Sequence, residues 1–157
     1  KGGGHKMAGG FTIKKEKIPD FRDFLIKNFE KLNVDTSKNM NLYLDSAIAP
    51  SALNKEFFDE INYLAPFGSG NGEPKFVIED IKLISGKIVA GNHIKSILLG
   101  KDGTTFTSFV WNGVDSLLEP FLTKKNKKTF NIAGKMHLNE WRGKESVEFM
   151  IEDISLN

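Results

Sequence analysis

His93-Ile94-Lys95-Ser96-Ile97-Leu98-Leu99-Gly100, then Lys101-Asp102-Gly103, then Thr104-Thr105-Phe106-Thr107-Ser108-Phe109-Val110-Trp111, is the stretch that decides the fold. Two strand-like runs flank an Asp-Gly pair, a strong signal for a tight reversal between antiparallel strands. In an alternating strand His93, Lys95 and Ile97 share one face, opposite Ile94 and Leu98. Phe106, Phe109 and Trp111 do not all fall on one face of the partner run, so at least one aromatic ring points outward.

Outward from this hairpin the same period continues. A run at 76–90 precedes it, with Asn92 at the turn, and runs at 129–138 and 145–155 follow. Between them Ser116-Leu117-Leu118-Glu119-Pro120-Phe121-Leu122 reads as a short helix, and Asn139-Glu140-Trp141-Arg142-Gly143 joins the last two runs. Three strands, a short helix and two strands is the order of an OB-fold, a small, partly open Greek-key barrel.

Upstream, the pattern is different. Pro66-Phe67-Gly68-Ser69-Gly70-Asn71-Gly72-Glu73-Pro74 carries three glycines and two prolines, so regular structure stops there and a domain boundary is expected. Before it, Leu53, Phe57, Ile61 and Leu64 form the face of a helix that follows Pro50, and Leu42 and Leu44 alternate like a strand. A first helix starts at about Pro19 with a stripe of Phe21, Phe24, Leu25, Phe29 and Leu32, an apolar face that needs a cover. Residues 33–39 are polar and read as a loop. Residues 1–13 read as a glycine loop running into a short strand, Phe11-Thr12-Ile13.

The whole chain of 157 residues, 39% apolar, can form one compact body or two small ones. It has no cysteine, which excludes disulfides and thiolate metal sites. No apolar run approaches the ~20 residues of a membrane span and no signal peptide is visible, so a cytoplasmic protein with no membrane partner is expected. The formal charge of +2 does not by itself argue for nucleic acid, and the distribution of charge matters more. The biased run Lys124-Lys125-Asn126-Lys127-Lys128 reads first as a solvated loop. Opening with Lys1 inside a tight loop, the chain reads as a fragment of something longer. Most of the 13 Phe residues are expected in the core.

Gly3-Gly4-His5-Lys6-Met7-Ala8-Gly9-Gly10 admits two readings: a flexible turn with a surface histidine, or backbone N–H groups that cradle a phosphate, with His5 and Lys6 assisting. The pattern resembles the glycine-histidine motif of the DHH-associated domain of DHH-family phosphoesterases, and a related loop occurs in alanyl-tRNA synthetases. Leu64-Ala65-Pro66-Phe67-Gly68-Ser69-Gly70-Asn71-Gly72-Glu73-Pro74-Lys75-Phe76 resembles the RecJ pattern L-x-P-F-G-x-G-N-P-x-P-x-F, departing only at Gly72, where proline is usual. It reads as a hinge that identifies the family and does not touch the chemistry. Asn92-His93-Ile94-Lys95 is similar to a segment of the RecJ OB-fold, and Asn139-Glu140-Trp141-Arg142-Gly143-Lys144-Glu145 resembles the turn before its last strand.

The resemblance implies an α+β chain: residues 1–49 as the end of a DHH-associated α/β domain, 50–74 as linker helix and hinge, and 75–157 as a five-stranded OB-fold barrel. It implies the carboxy-terminal part of a single-strand-specific exonuclease that degrades DNA from the 5′ end in repair and recombination. Gly3, Gly4, His5 and Lys6 would meet substrate phosphate; Lys82, His93, Lys95, Trp111, Trp141, Arg142 and Lys144 would meet the incoming strand. Mn²⁺ or Mg²⁺ would be held in the missing catalytic domain and none by this chain. Partners would be single-stranded DNA, that catalytic domain, and a helicase or single-strand-binding protein.

Two-metal hydrolysis needs clustered Asp and His ligands. The three histidines, His5, His93 and His137, are scattered, and no Ser-His-Asp or Cys-His arrangement offers another route, so no hydrolysis by this chain alone is expected. The alternatives are a DHH phosphoesterase acting on short RNA or cyclic dinucleotides, and a non-enzymatic OB-fold binding module.

Overall fold

The computed structural model describes residues 1–5, 8–32, 41–124 and 128–156. By internal contacts the chain divides into two compact units, Lys1–Leu42 and Tyr43–Asn157.

In the first unit the glycines form a two-stranded ladder. Strand β1 (Gly2–His5) pairs antiparallel with β2 (Ala8–Phe11), with Gly3 opposite Gly10, Gly4 opposite Gly9 and His5 opposite Ala8. The expected loop is therefore a hairpin. Gly4 is required by close approach: a Cβ there would lie 2.6 Å from the Ala8 oxygen. Helix α1 (Ile18–Lys31) follows, with proline in its first turn as its fixed φ favours. Phe21 packs on Phe11, ring centroids 4.7 Å apart, while Phe24, Leu25, Phe29 and Leu32 of the apolar stripe are exposed. The polar stretch read as a loop at 33–39 lies outside the described residues, as do Lys6 and 125–127 of the lysine run.

In the second unit the strand expected around Leu42 and Leu44 appears slightly later, as β3 (Ser46–Ala47), parallel to the start of β4. A 3-10 turn at Pro50–Ala52 leads to α2 (Lys55–Asn62), whose first turn is capped by Asn54: the Phe57 N–H donates to its Oδ1 at 2.9 Å. Leu53, Phe57 and Ile61 pack on the barrel core. Leu64, expected on the same face, is 59% exposed, because the helix ends before it. Asn71 ties the following segment together, donating to the oxygens of Leu64 (2.8 Å) and Pro66 (3.0 Å).

Strands β4 (Phe76–Val89), β5 (His93–Leu99), β6 (Thr105–Val110), β7 (Phe130–Trp141) and β8 (Lys144–Leu156) make the barrel. Their order is β4-β5-β6-β8-β7, closed by pairing of β7 with β4; all pairs are antiparallel except β6 with β8. This is the expected five-stranded OB arrangement. The long β4 bends to serve both neighbours through irregularities at Ile78/Ile81 and Leu83/Ser85.

The core is filled by alternate residues of every barrel strand, among them Ile78, Ile81, Ile94, Leu98, Phe130, Ile132 and Phe149. Helix α3 (Glu119–Thr123) plugs one end with the fully buried Leu122, whose oxygen accepts a hydrogen bond from Ser96 Oγ at 3.0 Å. Gly86 makes that seat possible, since a Cβ there would lie 1.6 Å from the same oxygen. Among the described residues no helix is long and apolar enough to cross a membrane.

Candidate nucleic-acid interface

Period two places one set of side chains on the outside of the barrel wall. On β5 these are His93, Lys95 and Ile97, while Ile94, Ser96 and Leu98 are buried. On the paired strand Phe106, Ser108 and Val110 face inward, so Phe109 and Trp111 face outward. Lys95 lies directly opposite Phe109, and the three rings meet. His93 is 4.6 Å from Trp111 and 5.6 Å from Phe109, and Phe109 is 4.9 Å from Trp111, centroid to centroid. The Asn112 N–H donates to His93 Nδ1 at 3.0 Å. An accepting Nδ1 places the ring proton on Nε2, leaving that edge as a donor.

The face continues across β6 into β8 and β7. Phe109 is level with Met150, Met150 is opposite Lys135, and Asn139 is opposite Ser146. At the far end Trp141 pairs with Lys144 across a two-residue turn, Arg142-Gly143, both in the left-handed region (φ 52° and 74°). The turn is shorter than the five-residue connection expected, so Trp141 is the last residue of a strand. It is 67% exposed, and the Arg142 guanidinium lies 5.6 Å from its ring centre. From the Trp141–Lys144 pair to the Phe109–Met150 level is about 20 Å of strand.

Lys95 is the member of the set whose surroundings the sequence did not reveal. Its Nζ lies 2.7 Å from Glu148 Oε1, and the Asn139 side-chain amide reaches the same oxygen at 3.4 Å. The Glu148 side chain is 7% exposed against 36% for Lys95. Alternation on β8 puts Glu148 on the outer face; its partner, 53 positions earlier, comes only from the register of the closed barrel. Lys87, opposite Lys95 on β4 and exposed, is a further cation of the face, outside the motifs quoted above.

Lys82 is not grouped with these residues. It pairs with Leu99 at the middle of β4, about 23 Å along the strand from Val89, the partner of His93. There it lines a cleft with Asp80, Lys101 and Thr129. Lys101 is 3.4 Å from Asp80. Gly3, Gly4 and His5 lie in the first unit, on the β1–β2 hairpin, with Lys6 outside the described residues. The turn end of the β7–β8 hairpin meets α2, where the pKa of Lys55 is held above its ordinary value, first by the hydrogen bond it donates to Asp59 (2.6 Å) and further by Glu145 (3.8 Å). Among the described residues no three His, Cys, Asp or Glu side chains gather to hold a metal ion.

The RecJ OB domain family matches residues 44–153. The single-stranded-DNA-specific exonuclease RecJ of Bacillus subtilis is 26% identical over 157 residues, covering 99% of this chain and 19% of that protein. The protein of the same name from Haemophilus influenzae is 26% identical over 98% of this chain and 26% of its own length. This chain thus spans about a fifth to a quarter of the curated relatives it matches. Crystal structures of RecJ from Thermus thermophilus in complex with Mg²⁺ and with Mn²⁺ share its fold, each with a TM-score of 0.59 and 21% identity over the whole chain. They are covered over 23% and 22% of their own length. The chain belongs to the RecJ OB domain family.

Proposed function

We propose that this chain is the strand-gripping part of a 5′-to-3′ single-stranded-DNA exonuclease that acts in DNA repair and recombination in the cytoplasm. The observation that carries this reading is the continuous outer face of β5, β6, β8 and β7, where Phe109, Trp111 and Trp141 present rings and Arg142, Lys144 and Lys87 present cations. Exposed rings stack on any base, contributing about 1–3 kcal/mol each, and flanking cations meet the phosphates, so a strand is held without sequence preference.

The site residues fall into two groups under this reading. His93, Lys95, Trp111, Trp141, Arg142 and Lys144 form the floor and ends of the barrel face, with Lys82 a more distant phosphate contact. Gly3, Gly4, His5 and Lys6 take substrate phosphate at the reacting end, with residues 1–49 completing a DHH-associated domain. Hydrolysis belongs to the DHH catalytic domain of the same protein, which holds Mn²⁺ or Mg²⁺; the donor set for those ions is not supplied by the described residues. That the relatives are single-stranded-DNA-specific exonucleases, and that RecJ of Thermus thermophilus forms complexes with Mg²⁺ and Mn²⁺, supports the exonuclease reading. A helicase or single-strand-binding protein would deliver the strand.

The test is to map the amide shifts of the ¹⁵N-labelled chain as oligothymidylate is added. Shifts concentrated on β5, β6 and the β7–β8 hairpin are expected; shifts confined to other surfaces, or none, would overturn the assignment.

A further inference from the structure

We propose that Glu148 is a positioning residue that withholds the Lys95 charge from bound nucleic acid and thereby biases the face toward single strands over duplex. This rests on the strand-binding reading of the barrel. Lys95 occupies the centre of that face, directly across from Phe109 and two positions from His93. A lone lysine there would be the natural phosphate contact. Its Nζ is instead 2.7 Å from a carboxylate whose side chain is only 7% exposed.

A carboxylate that far from water needs its partner: removing the cation leaves a buried, uncompensated charge. Lys95 therefore cannot turn to a phosphate without orphaning Glu148, which among the described residues then keeps only the longer contact from Asn139. The same pairing relieves repulsion with Lys87, which lies directly opposite Lys95 on β4. Among the described residues, the two lysines at the centre of the face are both held by carboxylates, Lys95 by Glu148 and Lys135, opposite Met150, by Glu73, while Lys87, Arg142 and Lys144 stand at its margins.

That layout discriminates between nucleic acids by what each displays. A single strand brings unstacked bases to the rings, whereas a duplex keeps its bases stacked and offers phosphates. Releasing Lys95 would add a phosphate contact, worth about 0.9 of log–log salt slope on duplex against about 0.7 on a single strand, and so help the duplex more.

Salt-dependent titrations of the 157-residue chain with labelled single-stranded and duplex DNA test this. Glu148→Gln is expected to steepen the log–log salt slope on the single strand by about 0.7 and to tighten binding about fivefold at ~0.1 M salt. Its gain on duplex is expected to be larger, an equal or smaller one would overturn the proposal, and Lys95→Met added to Glu148→Gln is expected to cancel both gains. A Glu148→Gln protein with the wild-type melting curve and the wild-type slope would overturn the proposal, as would a steeper slope that survives Lys95→Met. Should Glu148→Gln unfold the chain, the apolar pair Lys95→Met with Glu148→Met serves instead. Its slope should equal the wild type's, and a shallower one would show that Lys95 already contacts phosphate. Failure of the wild-type chain to bind either DNA would remove the strand-binding reading itself, and the proposal with it.

Discussion

The His93 ring meets the Trp111 ring at 75°, centroids 4.6 Å apart, and Phe109 approaches the same indole at 63° and 4.9 Å. Edge-on contacts of this kind are worth ~0.5–1.5 kcal/mol beyond burial and hold an otherwise exposed indole in one orientation. The backbone N–H of Asn112 fixes the histidine in turn. Trp111, 61% exposed, is thus held in place by its neighbours, as the proposed stacking on a base requires. Trp111→Ala should weaken single-strand binding by about 1–3 kcal/mol with little change in salt slope, because a stacking contact is lost and a phosphate contact is not. Titrations at two or more salt concentrations read both quantities.

Trp141 depends on its turn. Gly143 has φ 74°, and a side chain there is strained by roughly 1–2 kcal/mol. Gly143→Val should lower stability by at least that amount in urea denaturation. It should also weaken single-strand binding, because the pairing of Trp141 with Lys144 sets where the indole points.

The plug at the barrel end gives a stability test independent of DNA. Leu122 is fully buried, and Leu122→Ala should cost about 2–5 kcal/mol through lost contacts and the cavity left behind. Gly86→Ala should be at least as damaging, since the added methyl would overlap the Leu122 oxygen. Chemical denaturation of both variants checks this.

Asp102 supplies a pH dependence. Its carboxylate accepts from the Thr104 N–H at 2.9 Å and the Ser51 N–H at 3.1 Å, tying the β5–β6 turn to the 3-10 turn before α2. Those bonds, Thr104's first, hold its pKa below the ordinary 3.8. A depressed folded pKa contributes stability that is complete above the unfolded value and is lost as pH falls through the folded one. Stability should therefore fall on acidification from about pH 4 downward, and Asp102→Asn should flatten that part of the curve. Melting temperature against pH, for both proteins, is the measurement.

The barrel was legible because its strands announce themselves locally. The run from His93 to Trp111 alternates on both sides of Asp102-Gly103, and the glycine has the positive φ (84°) that such a reversal needs. The inward turn of Phe106 and the outward turn of Phe109 and Trp111 follow from the same period. The β1–β2 ladder was not legible, because glycines carry no side-chain alternation to mark a strand. Nor was β3, two residues long, whose pairing with Phe76 and Val77 is set by tertiary packing. The Lys95–Glu148 pair lay out of reach for a different reason: period two says which way a side chain faces, never which distant strand lies beside it. For Trp141 the missing information was the length of the turn, which decides whether it belongs to the connection or to the strand end.

The central claim is that this barrel face grips single-stranded DNA. A fluorescence-anisotropy titration of the 157-residue chain with labelled single-stranded and duplex oligonucleotides, at two salt concentrations, tests it most directly. Salt-sensitive binding that favours the single strand and is weakened by Trp141→Ala is expected. Absence of binding at low salt, or equal binding of duplex and single strand unchanged by Trp141→Ala, would contradict it.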